Sequence, residues 1–155
     1  MNRLNETMKD LYERIDLYKI VKNLSEKYQF EDRLYSYSNE KILDLIEALG
    51  YNAKFIKKEN FFKIIEKRNN YDFYFHLSLK YGLVEIMFGT IDKTKRHISG
   101  GAISTICKLI EIENGIDDNG YLKYPNFRDY DDLTEILKVY FNLYEGYKMN
   151  FPDDY

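Results

Sequence analysis

Cysteine occurs once in the 155 residues, at Cys107, and tryptophan not at all. One cysteine cannot close an internal disulfide, so a small disulfide-stapled secreted scaffold is excluded and a reducing compartment fits. Two prolines and eight glycines exclude collagen-like and Pro-rich linker architectures. No apolar run approaches the ~18–20 residues of a membrane span. The start, Met1-Asn2-Arg3-Leu4-Asn5-Glu6, carries no apolar signal segment, and a cytoplasmic protein is expected. Histidine is scarce too. His76, His97 and Cys107 match no zinc-ligand spacing, so neither a metal nor another cofactor is expected.

What is present belongs to an ordinary folded chain: 45% hydrophobic and 32% charged residues, in a length that suits a single domain spanning 1–155. Aromatic content is high, with sixteen Tyr and ten Phe. Charge is segregated. Residues 1–110 hold 19 Lys/Arg against 15 Asp/Glu, whereas residues 111–155 hold 4 against 11. The acidic third disfavours nonspecific nucleic-acid or membrane binding there and favours a basic partner.

The hydrophobic pattern predicts an α+β fold. Leu4, Met8, Leu11 and Ile15, then Leu17, Val21, Leu24 and Tyr28, recur at helical spacing. A further helix is expected over Ser38–Leu49, with Ser38 as N-cap and Gly50 as the stop. The period then changes to alternation. Four strands are expected at Tyr51–Lys58, Phe61–Arg68, Tyr71–Lys80 and Leu83–Thr90, joined by turns at Glu59-Asn60, Asn69-Asn70 and Tyr81-Gly82. In the third, Phe73, Phe75, Leu77 and Leu79 point one way and Asp72, Tyr74, His76, Ser78 and Lys80 the other, with His76 on a wet face.

Ile91–Gly101 reads as a polar loop, and Ala102–Ile112 suits a buried helix better than a fifth strand. Asn114–Phe127 reads as a turn-rich connection. The last helix starts near Asp129 or Asp131, with Leu133, Ile136, Leu137, Tyr140, Phe141, Tyr144 and Tyr147 on its buried, aromatic face. The architecture is therefore N-terminal helices, a four- or five-stranded antiparallel meander, and C-terminal helices packed on one face of the sheet.

No motif carries catalysis. Aligning Asp117-Asp118-Asn119-Gly120 as a calcium loop leaves its first carboxylate and its last Glu missing. Gly100-Gly101 lacks a phosphate-binding sequence around it. Cys107 lies in an apolar run, as a buried small hydrophobe does. No serine stands in a nucleophile elbow. The expectation is a protein that is not an enzyme.

The sequence from His97 to Lys148 carries a resemblance. Gly100-Gly101-Ala102-Ile103-Ser104-Thr105-Ile106-Cys107 is followed by Tyr124-Pro125-Asn126-Phe127-Arg128-Asp129-Tyr130-Asp131-Asp132-Leu133, then Ile136-Leu137 and Tyr144-Glu145. This succession resembles small immunity proteins of bacterial polymorphic-toxin and contact-dependent inhibition systems, over about the last third of the chain. The resemblance implies a cytoplasmic binder that neutralises one cognate toxin domain.

Many such toxin domains are nucleases with basic grooves, which an acidic, Tyr-rich surface can occupy. The expected partner-binding surface is Asp117, Asp118, Tyr121, Asp129, Tyr130, Asp131, Asp132 and Glu135. Arg128, set among these acids, can instead pair with one of them. Tyr121, Tyr124, Tyr130, Tyr144, Tyr147 and Tyr155 are expected to reach the surface, since buried phenols need hydrogen-bond partners. The meander face around Tyr74 and His76 is the second-choice surface. The competing functions are a regulatory or adaptor module for another basic protein, and a small enzyme with a carboxylate-based site.

Overall fold

The computed structural model describes residues 3–116 and 120–155. Three helices come first: α1 (Glu6–Arg14), α2 (Leu17–Lys27) and α3 (Asn39–Ala48). The helical pattern of the first thirty residues is two helices rather than one. Asp16 takes a left-handed conformation (φ 56°) and turns the chain between them. Asn5 caps α1 through the Met8 N–H, and Ser38 caps α3 through the Lys41 N–H, at 2.8 and 3.3 Å. Gly50 follows α3 at φ +97°, where a side chain would be strained.

Five strands then pair antiparallel in chain order: β1 (Lys54–Ile56), β2 (Phe61–Lys67), β3 (Tyr71–Ser78), β4 (Glu85–Asp92) and β5 (His97–Ala102). Two helices close the sequence, α4 (Ile103–Glu113) and α5 (Tyr130–Asn150), the second capped by Asp129. The structure has the expected α+β architecture with five strands. Among the described residues no helix is long and apolar enough to cross a membrane.

The register makes one face of the sheet the core. Phe62, Leu77 and Ile86 align, as do Ile64, Phe75 and Phe88. Against them α5 lays Phe141, Tyr144 and Tyr147. Phe75 meets Phe141 at 4.7 Å between ring centroids, and Phe88 meets Tyr147 at 5.3 Å. Aromatic side chains bury large areas per residue, and pairs at these separations add to that burial.

Tyr144 and Tyr147 are 0% exposed, as the periodicity of the last helix expects and against the expectation, from the shortage of hydrogen-bond partners, that they reach the surface. The Tyr147 hydroxyl is hydrogen-bonded to Thr90 Oγ1 at 2.7 Å and to Ser99 Oγ. The sheet itself supplies polar partners inside the core, so a buried phenol is tolerated.

The expected loop Ile91–Gly101 is a second departure. Only 93–96 turns, and His97–Ala102 is strand β5 with Gly100 and Gly101 inside it. Asp92 builds the turn: its Oδ1 accepts the N–H groups of Thr94 and Arg96 and the Thr94 hydroxyl. The link from β1 to β2 takes the four residues 57–60, and Lys80–Gly82 is a 3-10 turn rather than the end of a strand. The segment Tyr124–Phe127 is stitched in by backbone bonds, Asn126 N–H to Tyr28 O and Val84 N–H to Pro125 O.

Candidate functional site

The acidic surface expected at the start of α5 is largely committed to holding α5 in place. Asp129 accepts the Asp132 N–H at 2.8 Å as the N-cap. Asp132 takes a two-pronged bond from Arg128, at 2.9 and 3.2 Å, and also accepts the Arg128 backbone N–H. These bonds hold its carboxyl below the ordinary carboxylate range. Arg128 also stacks over Phe30 at 3.8 Å, so it pairs internally. Tyr130 accepts the Ser38 N–H through its hydroxyl, with Lys41 over its ring.

That leaves Tyr121, Asp131 and Glu135 exposed and outside these bonds, Glu135 in a loose surface pair with Lys138 at 3.3 Å. Asp117 and Asp118 lie outside the described residues. Cys107 is buried, and burial with Glu111 nearby pushes its thiol up to about 12.

The other face of the sheet is a different kind of surface. Ring contacts between helices and strands fall on the core face. On the outer face Phe61, Tyr74 and His76 touch only one another among the described aromatic rings, at 4.7 Å (Phe61–His76) and 5.0 Å (Tyr74–His76). Lys63, His76, Met87 and Ala102 form one cross-strand row. Ile65, Tyr74, Gly89 and Gly100 form the next. Tyr74 is only 5% exposed although it belongs to this face. Its hydroxyl lies over Gly89, where no side chain stands in the way. Burial pushes this phenol up to about 12.

A hollow of roughly 350 Å³ opens beside the ladder, with Phe61, His76, Met87 and Ala102 among its lining and Glu59, Lys80 and Glu85 at its margin. Met87 is 36% exposed, and His76 is half-buried rather than fully wet.

Charge around this hollow is uneven. Residues 51–102 hold ten Lys/Arg against five Asp/Glu. Lys54 stands directly opposite Lys63, and Lys67 opposite Asp72. Asp72 is spent elsewhere: 2% exposed, it binds Lys93 at 2.6 Å and Lys95 at 3.4 Å, and so pins the β4–β5 turn to β3. Among the described residues Lys54, Lys63 and Lys67 have no carboxylate within ion-pair distance. Sequence reasoning placed this face second, around Tyr74 and His76, and missed its lysines and its hollow because their signal is a register. Residues far apart in the chain become one row only once the strands are paired.

Burial, then the Lys63 charge, lowers His76 from its ordinary 6.5 to about 4. The unfolded chain therefore takes up a proton that the folded chain refuses as pH falls from about 6.5 toward 4. Stability contributed by the neutral imidazole is complete above that window and is lost through it. The urea midpoint of the wild type should accordingly drop more between pH 7 and pH 4.5 than that of His76→Phe, which keeps a ring in the ladder. Parallel declines in the two proteins would remove His76 as the cause.

No protein-family model, curated protein or solved structure matches the chain.

Proposed function

We propose that this chain is an immunity protein, a binder that neutralises a cognate toxin domain by stoichiometric association. One observation supports the reading most: a sheet face left uncovered by the helices, with an apolar floor of Phe61, His76 and Met87 and charges at its margin. An apolar centre inside a polar rim is the anatomy of a protein interface. The resemblance of His97–Lys148 to immunity proteins supplies the class of partner, and a cytoplasmic toxin target is part of the same proposal.

The test is co-expression with the toxin domain encoded beside this gene. Protection of the host cell and a one-to-one complex on size exclusion are expected. A neighbour without toxicity, or toxicity undiminished by the folded chain, would sink the proposal.

Within this reading the α5 end, on the helix side of the sheet, is a second contact surface, because Tyr121, Asp131 and Glu135 are exposed there and take no part in capping or clamping the helix. Reversing Asp131 and Glu135 to Lys should slow association of a basic toxin surface about tenfold or less, with dissociation little changed. The on-rate should also lose part of its salt dependence. Asp129 and Asp132 are left intact in that variant, since they cap and clamp the helix. An unchanged on-rate would take this end of the molecule out of the interface.

A further inference from the structure

We infer that the open sheet face is a docking surface for an acidic protein segment, which seats an apolar side chain in the Phe61–His76–Met87 hollow and lays its carboxylates along Lys54, Lys63 and Lys67. The inference rests on the binding reading above and names the chemistry of the partner at that face.

Its ground is charge complementarity. Like charges directly opposite across a strand pair are destabilising, yet Lys54 faces Lys63 with no carboxylate at ion-pair distance among the described residues. The nearest acid in the ladder, Asp72, is already held by two other lysines. Lys63 and Lys54 therefore continue the His76–Met87 row outward with their charges unpaired, and Lys67 follows four residues along β2. A partner that brings carboxylates relieves the repulsion while its apolar side chain fills the hollow. The opposite margin carries Glu59, Glu85 and Lys80, so the carboxylates belong on the Lys54–Lys67 side and the segment has one direction.

Two other occupants fit less well. A second copy docked by the same face can offer these lysines only Glu59 and Glu85, beside its own Lys80. A single-stranded nucleic acid needs open rings for base stacking, and Tyr74 is 5% exposed. Glu59 and Glu85 also repel phosphates at the hollow.

The experiment uses three probes without any toxin: a synthetic peptide with a Leu-Phe pair flanked by glutamates, the same peptide with lysines for glutamates, and polyuridylate. Each is titrated into the isotope-labelled full chain and followed by amide chemical shifts. The acidic peptide should move the amides of Phe61, Lys63, His76 and Met87, and the lysine peptide should not. The combined variant K54Q/K63Q/K67Q should weaken binding at least tenfold. Met87→Glu changes an exposed side chain and should abolish the shifts with the fold intact, which keeps the test valid if the triple variant fails to fold. Three results would each overturn the inference: no shifts at these amides with the acidic peptide, an equal response to the lysine peptide, or a stronger response to polyuridylate. Failure of toxin protection beside an intact peptide response would remove the toxin reading alone.

Discussion

Replacing Tyr147 with alanine should cost about 3–5 kcal/mol of folding stability, the range for deleting a large aromatic from a packed interior. Tyr147 is fully buried, and four rings surround it: Tyr12 of α1 at 6.4 Å, Phe73 at 6.0 Å, Phe88 at 5.3 Å and Phe151 at 5.7 Å. Its loss opens a cavity where α1, α5 and the sheet meet. It also strands the hydroxyls of Thr90 and Ser99, 0% and 5% exposed, which the phenol satisfies. Tyr147→Phe separates the two contributions. It keeps the ring and removes the hydrogen bonds, for about 1–3 kcal/mol. Small domains are stable by only about 5–15 kcal/mol, so the alanine variant should show a much lower urea midpoint. An alanine variant within about 1 kcal/mol of the wild type would show that the ring cluster is not the keystone described above.

Gly89→Ala should be nearly as damaging, although it adds a single methyl group. A Cβ at Gly89 collides with the Ser99 carbonyl oxygen and comes within 2.9 Å of both Gly100 Cα and the Tyr74 hydroxyl. Two of these neighbours are backbone and cannot swing aside. Gly100, directly opposite, has φ +95° and crowds Gly89 and Phe88 in the same way. The strands approach closely there because neither has a side chain, and Tyr74 lies over the bare patch. Overpacking costs about 1–3 kcal/mol and occasionally more, and relief here requires β5 to move off β4. A loss of about 3 kcal/mol is expected. Amide exchange should accelerate most in β5, where local opening becomes easiest. Equal protection of β5 in the variant and the wild type would refute the close-approach argument.

These two residues also mark where the sequence was legible. The alternation of Phe73, Phe75 and Leu77 identified both β3 and the buried face, because period two has one physical meaning in an amphipathic strand. The cap at Ser38 was readable for a similar reason, since a short polar side chain at that position satisfies a free N–H group. Strand β5 was not. His97-Ile98-Ser99-Gly100-Gly101-Ala102 has little strand propensity of its own, and its pairing comes from the bare Gly89 across the ladder. Helical spacing placed Tyr147 on the buried face, but its polar partners were not legible because Thr90 and Ser99 lie on β4 and β5. The acidic stretch at Asp129–Asp132 was visible as charge, but its capping and clamping geometry was not. The pairing of Lys54 with Lys63 arises only from register, which no single segment contains.

The sheet's order, each strand beside its chain neighbours, has a consequence for synthesis. All five strands are available once Ala102 has left the ribosome, and each pairing needs only a short reversal of the chain. The helix that covers their aromatic face begins only at Tyr130. Between those two moments the growing chain holds Phe73, Phe75 and Phe88 without their cover. The polypeptide emerges with its most adhesive surface finished first and its shield last, so the stretch 103–129 sets a delay during which a chaperone, or the ribosome itself, has to keep that surface from its neighbours.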